Sequence, residues 1–324
     1  MTYGRFHLQM FSLAQAYEHA KVVVDFTLIL IQFAFEIIYS LMRKVIKDKP
    51  KDISGEIVLI TGSGHGIGKE LVLQYTALGC EVICVDINKE NNDKVVEEAN
   101  SLRIGTAYGY KYDWLIISLP IVEYGKFSSL HFRCDVRNRD ELQKLAHRII
   151  KEIGHVSVVV NNAGIMPSHP LLKHTESEIR QVFEVNVFAN FWILESFLPH
   201  MVAKGRGHII SMSSMAGLCG LNNLVPYCAT KFAVRGLMEG LTEELRETNS
   251  MIKTTVVYPF VVDTGLCKQP KTRFPSLLGI VPAKSAATAI IDAHRRNMKE
   301  ISIPSYLLAL HNVFRYGLFP SLTL

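Results

Sequence analysis

Short apolar runs alternate with longer helical patterns through most of this 324-residue chain. Glu56–Ile60 is a β-type run that leads into a glycine-rich turn, and the helical pattern Lys69–Leu78 follows that turn. Cys80–Val85 is the next β-type run. Strands that alternate with helices are typical of parallel sheets joined by helical crossovers. The pattern therefore predicts an α/β fold with a doubly wound parallel sheet.

A different pattern precedes these runs. Val22–Met42 is apolar over about 20 residues, which is long enough for a helix that crosses a bilayer. At about 100° per residue, its polar residues Asp25, Gln32 and Glu36 fall within about 40° of one another. A single polar face suits a helix lying in the membrane interface as well as a spanning one. A helix packed on the domain or on a dimer partner is the other alternative.

Positive charge is concentrated directly after this segment, at Arg43, Lys44, Lys47, Lys49 and Lys51. If the segment spans, this asymmetry places the domain that follows in the cytosol. Because no small-residue cleavage site follows the apolar run, a retained anchor is favoured over a removed signal peptide. Residues 1–51 are thus predicted to form an N-terminal membrane-associated helix and a basic linker.

Composition limits the number of domains and the classes of function. With 48% apolar residues, we expect one large core over residues 52–300 and an apolar tail over 301–324. The net charge of +5 is not gathered in Lys/Arg runs with interleaved aromatic residues, which argues against a nucleic-acid partner. The six cysteines form no C-x-x-C pair and no zinc-type cluster, so we expect free thiols and no metal.

The turn after the first strand has the composition of a dinucleotide site. Glycines let the backbone approach a pyrophosphate, and a helix N-terminus offers free N–H groups to its charge. Strand, turn and helix in this order are the context that such a site requires. The cofactor-binding residues predicted in this turn are Gly62, Ser63, His65, Gly66, Ile67 and Gly68.

Asp86 ends the second β-type run, about 20 residues beyond the glycines. A carboxylate in this position can accept hydrogen bonds from the ribose hydroxyls of NAD, and it repels the 2′-phosphate of NADP. No Arg or Lys stands next to it in Asp86-Ile87-Asn88. The sequence therefore predicts NAD as the cofactor.

From Thr61 onward the motifs resemble those of the short-chain dehydrogenase/reductase family, which implies a Rossmann fold. The spacing T-G-x-x-x-G-I-G begins at Thr61, and further signatures continue in order to about residue 300. The run Asp52–Gly62, the apolar N-terminus and the basic linker are similar to the membrane-associated branch, which contains retinol and 17-beta-hydroxysteroid dehydrogenases. That branch implies the endoplasmic reticulum membrane or a lipid droplet, with the catalytic domain facing the cytosol.

The resemblance also implies the residues of a site. It adds to the cofactor set residues that follow the third, fourth and sixth strands: Asp135, Val136, Asn162, Ala163, Gly164, Pro259 and Thr264. It assigns catalysis to Asn186, Ser214, Tyr227 and Lys231, of which Tyr227 and Lys231 also contact the cofactor. Ser214 would hold the substrate oxygen, and Asn186 would anchor a water that links Lys231 to solvent.

Tyr227 and Lys231 are four residues apart in a stretch with a helical pattern, Tyr227–Glu244, so that both side chains point from one face. A tyrosine hydroxyl has an ordinary pKa near about 10 and is a poor base at neutral pH. We expect the ammonium of Lys231 and the positive nicotinamide ring to lower that pKa. Tyr227 would then take a proton in alcohol oxidation and donate one in carbonyl reduction.

The sequence thus predicts an NAD(H)-dependent oxidoreductase that interconverts a lipophilic alcohol (retinoid, steroid or fatty alcohol) and its carbonyl compound. Its expected partners are the lipophilic small-molecule substrate, a membrane or lipid-droplet surface and a second copy in a homodimer. A catalytically silent membrane or lipid-droplet scaffold that keeps the fold is the alternative.

Residues 112–133 form an atypical insertion. Thr106–Lys111 already has the pattern of the third strand, yet an apolar run intervenes before Cys134-Asp135-Val136. Joining Lys111 to Cys134 restores a normal third strand, and the codons allow GT and AG at the two boundaries. We therefore interpret 112–133 as translated intron, with a genuine surface insertion as the alternative. Sequencing the transcript distinguishes the two.

Overall fold

The computed structural model describes residues 20–21, 23–24, 26–28, 31, 49–101, 129–267 and 278–316. The chain divides into two compact units, Met1–Pro50 and Lys51–Leu324. In the first unit, the described residues between 20 and 31 are helical and exposed. Among the residues described, no helix is both long enough and apolar enough to cross a membrane. Asp25, Gln32 and Glu36, with most of the predicted apolar segment, lie outside the described residues.

The second unit alternates strands and helices along the chain. Its strands are β1 (Ile57–Thr61), β2 (Glu81–Asp86), β3 (Ser129–Arg133), β4 (Val158–Asn161), β5 (His208–Met212), β6 (Lys253–Pro259), β7 (Val262–Asp263), β8 (Val281–Pro282) and β9 (Glu300–Ile303). Its helices are α1 (Gly66–Ala77), α2 (Lys89–Ser101), α3 (Arg139–Glu152), α4 (Glu176–Phe183), α5 (Ala189–Lys204), α6 (Val225–Glu247), α7 (Ala283–Arg295) and α8 (Tyr306–Tyr316). A π-helical turn, Glu184–Phe188, joins α4 to α5.

Seven strands form one parallel sheet in the order β3-β2-β1-β4-β5-β6-β9, and β7 pairs with β8 beside it. The strand order reverses between β1 and β4. In open α/β sheets, ligands bind at such a switch point, outside the carboxyl ends of the strands. The prediction of a doubly wound Rossmann fold is therefore confirmed.

Apolar side chains cover both faces of the sheet because successive strand residues point to opposite sides. On β1, Leu59 faces the core layer formed by α3, α5 and α6. Val58 and Ile60 face the layer formed by α1, α2 and α7. Each fully buried Val, Leu or Ile contributes about 1.5–3 kcal/mol. This double burial fixes the register of the strands and hence the position of their carboxyl ends.

The third strand differs from the sequence prediction. β3 is Ser129–Arg133, and it pairs with β2 from Val82↔Ser129 to Asp86↔Arg133. The assignment of that strand to Thr106–Lys111 was therefore wrong, and the last five residues of 112–133 belong to the sheet. The reason is geometric: the strand next to β2 must run directly into Cys134-Asp135. Residues 102–128 lie outside the described residues, and the intron interpretation is still a prediction about the transcript.

The sheet also extends beyond residue 300, where the sequence suggested the end of the domain. β9 pairs with β6 from Val256↔Glu300 to Pro259↔Ile303. Ile301 and Ile303 are buried in the core. The apolar character of this stretch therefore reflects an edge strand of the second unit, and the tail begins later.

Candidate active site

The turn between β1 and α1 has no room for side chains at its glycines. Gly62 and Gly66 have φ values of 65° and 58°, a region that favours glycine. A Cβ on Gly62 would lie 3.0 Å from the Cα of Ala163, and one on Gly66 would lie 2.9 Å from the Cβ of Thr264. The predicted glycines thus form a tight turn that brings the ends of β1, β4 and β6 together.

Asn162 ties the end of β4 to this turn. Its side-chain Nδ2 donates to the carbonyl oxygens of Thr61 (2.9 Å) and Gly62 (3.1 Å). In return, the backbone N–H groups of Asn162 and Ala163 donate to the Thr61 hydroxyl, each at 3.1 Å. These bonds use the Asn162 side chain as a brace, so that the backbone rather than the amide faces the crevice.

Asp86 lies beside the glycine turn, half-buried at the carboxyl end of β2. Its Oδ2 accepts a hydrogen bond from the Gly64 backbone N–H, and its Oδ1 accepts one from Asn88, both at 2.8 Å. A carboxylate offers about four acceptor sites. Asp86 therefore still has acceptor capacity for a ligand at the turn.

Three residues predicted to bind the cofactor have other surroundings. The buried Ser63 hydroxyl donates to Asn92 Oδ1 (2.7 Å), and Asn92 Nδ2 donates to the Cys84 carbonyl (3.1 Å). Ile67 is half-buried against the core, whereas His65 is exposed at the start of α1. Sequence reasoning missed Asn92, because it lies 29 residues from the serine that it binds.

Asp135 and Val136 follow β3 directly. Val136 is buried. Arg137 Nη2 lies 2.6 Å from Asp135 Oδ2, and this hydrogen bond holds the pKa of Asp135 below its usual value. Asp135, Arg137, Glu184 and Trp192 contribute to an open groove of about 380 Å³. Tyr227 and Lys231 do not line this groove, so we do not assign it to the substrate.

Asn186 lies in the π-helical turn and joins two segments of the site. Its Nδ2 donates to the Ile165 carbonyl (3.0 Å) and to Thr230 Oγ1 (3.1 Å), and its Oδ1 accepts from the Ile165 N–H (2.9 Å). A Cβ on Gly164 would lie 3.4 Å from Asn186 Oδ1 and 3.6 Å from Lys231 Nζ. Asn186 and Lys231 therefore flank Gly164.

Ser214, Tyr227 and Lys231 meet where β5 ends and α6 begins. The Ser214 hydroxyl is close enough to Tyr227 to act on the pKa of its phenol. Lys231 Nζ lies 5.5 Å from the centre of the Tyr227 ring and donates to the Met212 carbonyl at 2.8 Å. The neighbouring Ser213 hydroxyl donates instead to the Lys231 carbonyl. The geometry therefore favours Ser214 over Ser213 as the serine that acts with Tyr227.

Burial dominates the electrostatics of this group. It raises the pKa of Tyr227 to about 12, although the neighbouring Ser214 hydroxyl acts in the opposite direction. It also lowers the pKa of Lys231 to about 8. The expectation that Lys231 and the positive nicotinamide ring together lower the tyrosine pKa stays a prediction, because it includes the bound cofactor; in the protein alone, loss of hydration is the largest influence on this pKa. The shift favours the neutral phenol by about 3 kcal/mol.

Pro259 and Thr264 close the site on the side of β6. The Pro259 carbonyl accepts a hydrogen bond from Ser214 (3.2 Å). Thr264 lies against Gly66, and its hydroxyl contacts the Val262 carbonyl at 3.4 Å. The predicted site residues after β1, β4, β5 and β6 are thus brought to one edge of the sheet.

Apolar side chains surround the buried face of Tyr227. Tyr227, Ala216 and Cys228 form a small buried cluster, and partly buried apolar residues pack against it: Met166, Leu221 and Leu224. An apolar surface beside a tyrosine hydroxyl suits a ligand with one polar group on a hydrophobic body.

Comparison with known proteins identifies the family. The family described as short chain dehydrogenase matches residues 56–115 and 121–273. The chain belongs to the short-chain dehydrogenase/reductase family. It is therefore an oxidoreductase of that family that uses a nicotinamide cofactor, and NAD is the cofactor that the glycine turn and Asp86 predict. The gap in the match, residues 116–120, falls within the atypical insertion.

This short-chain dehydrogenase is similar to several curated proteins. Epidermal retinol dehydrogenase 2 of Mus musculus is 34% identical over 285 residues, which cover 88% of this chain and 84% of that protein. 17-beta-hydroxysteroid dehydrogenase 13 of Homo sapiens is 34% identical over 288 residues, 89% and 87% of the two chains. The prediction of this family and branch is confirmed.

Solved structures share the fold. A short chain dehydrogenase/reductase from Burkholderia phymatum in complex with NAD has a TM-score of 0.68 at 22% identity and covers 84% of this chain and 99% of its own. An alcohol dehydrogenase from Thermococcus sibiricus complexed with 5-hydroxy-NADP has a TM-score of 0.63 at 18% identity and covers 77% and 96%. At these identities the likeness establishes the fold alone.

Proposed function

We propose that this short-chain dehydrogenase interconverts a lipophilic primary or secondary alcohol and its carbonyl compound with NAD(H). The observation that carries the proposal is the group formed by Ser214, Tyr227 and Lys231, at the sheet edge that also carries the glycine turn. The apolar residues around Tyr227 support a hydrophobic substrate. The names of the relatives support a retinoid, a steroid or a fatty alcohol as its class.

The chain's own residues account for the handling of the proton. NAD, when bound, supplies the hydride acceptor, and NADH the donor. Ser214 orients the substrate oxygen towards the Tyr227 hydroxyl, which donates its proton to a carbonyl or takes the proton of an alcohol. Because burial keeps the phenol protonated, reduction can begin from this state, whereas oxidation requires nearby positive charge. Lys231, with a pKa of about 8, is largely charged at neutral pH.

Asn186 and Asp86 complete the proposed site. Asn186 flanks Gly164 together with Lys231, and we assign to it the water that connects Lys231 with solvent. Asp86 would accept hydrogen bonds from the ribose hydroxyls of NAD, and its negative charge would repel the 2′-phosphate of NADP. Asn162, Gly164, Thr264 and the turn glycines bring backbone groups to the same crevice.

We also propose that residues 1–51 hold the enzyme on the endoplasmic reticulum membrane or a lipid droplet, with the domain that follows in the cytosol. Support comes from apolar side chains that are 48% to 63% exposed: Val23, Val24, Phe26, Leu28 and Ile31. The basic linker complements anionic lipid head groups. A second copy of the chain, in a homodimer, is the alternative partner for these side chains.

The experiment is a substrate panel on the purified full-length protein. A retinol, a 17β-hydroxysteroid and a long-chain alcohol are each offered with NAD and with NADP, and formation of reduced cofactor is followed. We expect turnover of at least one alcohol with NAD preferred, and its loss in Tyr227→Phe. Binding of NADH without turnover of any alcohol or carbonyl compound would instead favour the catalytically silent scaffold.

A further inference from the structure

His169, His174 and Glu178 form a cluster outside the residues that we assign to the reaction. His169 and His174 lie in the segment between β4 and α4, where His174 follows a short 3-10 turn, and Glu178 lies in the first turn of α4. One nitrogen of each imidazole and one carboxylate oxygen all lie within 4.8 Å of one another. The three residues, spaced H-x4-H-x3-E along the chain, thus bring their possible ligand atoms close together.

The His174 ring has a free ligand atom. Its side chain is fully buried, and its Nε2 lies 3.1 Å from the His169 carbonyl oxygen. Because a carbonyl only accepts, Nε2 carries a proton and the neutral ring has its lone pair on Nδ1. No hydrogen-bond partner reaches this Nδ1 among the described residues, and Glu178 Oε2 is 3.9 Å away. His174 Nδ1 and Glu178 Oε2 are therefore two acceptors that face each other 3.9 Å apart.

The other hydrogen bonds of these three residues resemble those that orient metal-binding side chains. Imidazoles that bind metals typically donate their other N–H to a carbonyl, as His174 does, and ligating carboxylates are themselves hydrogen-bonded. The Thr175 N–H donates to Glu178 Oε2 at 3.0 Å, and His169 Nε2 lies 3.2 Å from Glu178 Oε1.

The distances suit a small divalent ion. Ligands about 2.0–2.1 Å from a tetrahedral Zn²⁺ lie about 3.3 Å from one another. The distances of 3.2 Å between His169 Nε2 and Glu178 Oε1 and of 3.9 Å between His174 Nδ1 and Glu178 Oε2 are close to this value. The longest ligand–ligand separation, at most 4.8 Å, would have to shorten by about 1.5 Å, which rotation of an imidazole can supply. Two imidazole nitrogens favour zinc over calcium or magnesium.

From these contacts we infer that His169 Nε2, His174 Nδ1 and the Glu178 carboxylate form a zinc site that clamps the β4–α4 segment. Water would occupy the fourth position. The ion would replace the hydrogen bond between His169 and Glu178. It would lie between His174 Nδ1 and Glu178 Oε2, which are both hydrogen-bond acceptors. The clamp would order the segment that begins at Met166, which packs against the Tyr227 cluster.

The test uses the full-length protein without a histidine tag, freed of metal by a chelator and titrated with Zn²⁺ or Co²⁺. His174→Gln removes one ligand. Glu178→Gln removes the charge but keeps the capping interaction with Thr175, because glutamine serves equally at that position. His147→Gln, at an exposed position on α3, is the matched control.

We expect the wild type and the control to bind one Zn²⁺ per chain, and both ligand variants to bind it at least about tenfold more weakly. Bound Co²⁺ should give a tetrahedral visible spectrum without a thiolate charge-transfer band, since the site has no cysteine. Equal affinity in all four proteins, or a thiolate band, would overturn the assignment. Circular dichroism of each variant shows that the comparison is between folded proteins.

Discussion

Replacing Tyr227 by Phe separates the chemical role of the hydroxyl from its structural role. At most one hydrogen bond, to Ser214, is lost with the Tyr227 hydroxyl, and Ser214 keeps the Pro259 carbonyl and the Ala216 N–H as partners. The net loss of one such bond is about 1 kcal/mol. In a domain of this size it lowers the Tm by about 2–4 °C.

The expected loss of turnover is much larger. A positioned proton donor contributes about 10²–10⁴-fold to the rate, which corresponds to about 3–5 kcal/mol of activation free energy. Turnover is measured by the absorbance of NADH with a substrate found in the panel, and NADH binding by fluorescence. We expect kcat to fall at least about 100-fold while the Kd for NADH changes less than about threefold.

Tyr75→Phe is the matched control. Tyr75 is also buried, and its hydroxyl lies 3.1 Å from His294 Nδ1 in the core layer formed by α1, α2 and α7. Its removal leaves a polar atom unpaired, which costs about 1–3 kcal/mol. The control should therefore lose as much stability as Tyr227→Phe, yet keep its turnover. If Tyr227→Phe keeps turnover within about tenfold of the wild type, the assignment of Tyr227 is refuted.

Asp86→Arg should move the preference from NAD towards NADP by about tenfold or more in kcat/KM, because it replaces an acceptor of ribose hydroxyls with a phosphate partner; an unchanged ratio would refute this role. Deleting residues 1–42 should release the protein into the soluble fraction, and a truncated protein that still sediments with membranes would move the anchor to another surface. Burial lowers the pKa of His294 from 6.5 to about 3, so that the folded protein keeps this imidazole neutral where the unfolded chain binds a proton. That stability is fully present above about pH 6.5 and is lost as the pH falls towards 3, by about 2 kcal/mol between about pH 6.5 and 5. Urea unfolding at the two pH values measures the loss, which His294→Gln should lessen, and equal midpoints would contradict it.

Local sequence patterns were sufficient to predict those features that depend on residues close together in the chain. The glycine turn after β1 requires only a short stretch of sequence, because its φ values and close approaches are properties of that turn. The pairing of Tyr227 with Lys231 follows from helical periodicity. Asp86 could be found because it ends the next strand. Short apolar runs such as β1, which alternate with helical patterns, likewise made the parallel sheet predictable.

Tertiary structure decided what depends on distant contacts. Two stretches, Thr106–Lys111 and Ser129–Arg133, have a β-type pattern, and only pairing with β2 selects the second. In the sequence, Ile301 and Ile303 belong to an apolar tail; the pairing of β9 with β6 shows that they lie in the sheet. The pKa of Tyr227 follows from how much water the folded core removes from its hydroxyl. Registers and desolvation are set by residues far apart in the chain, and local spacing does not encode them.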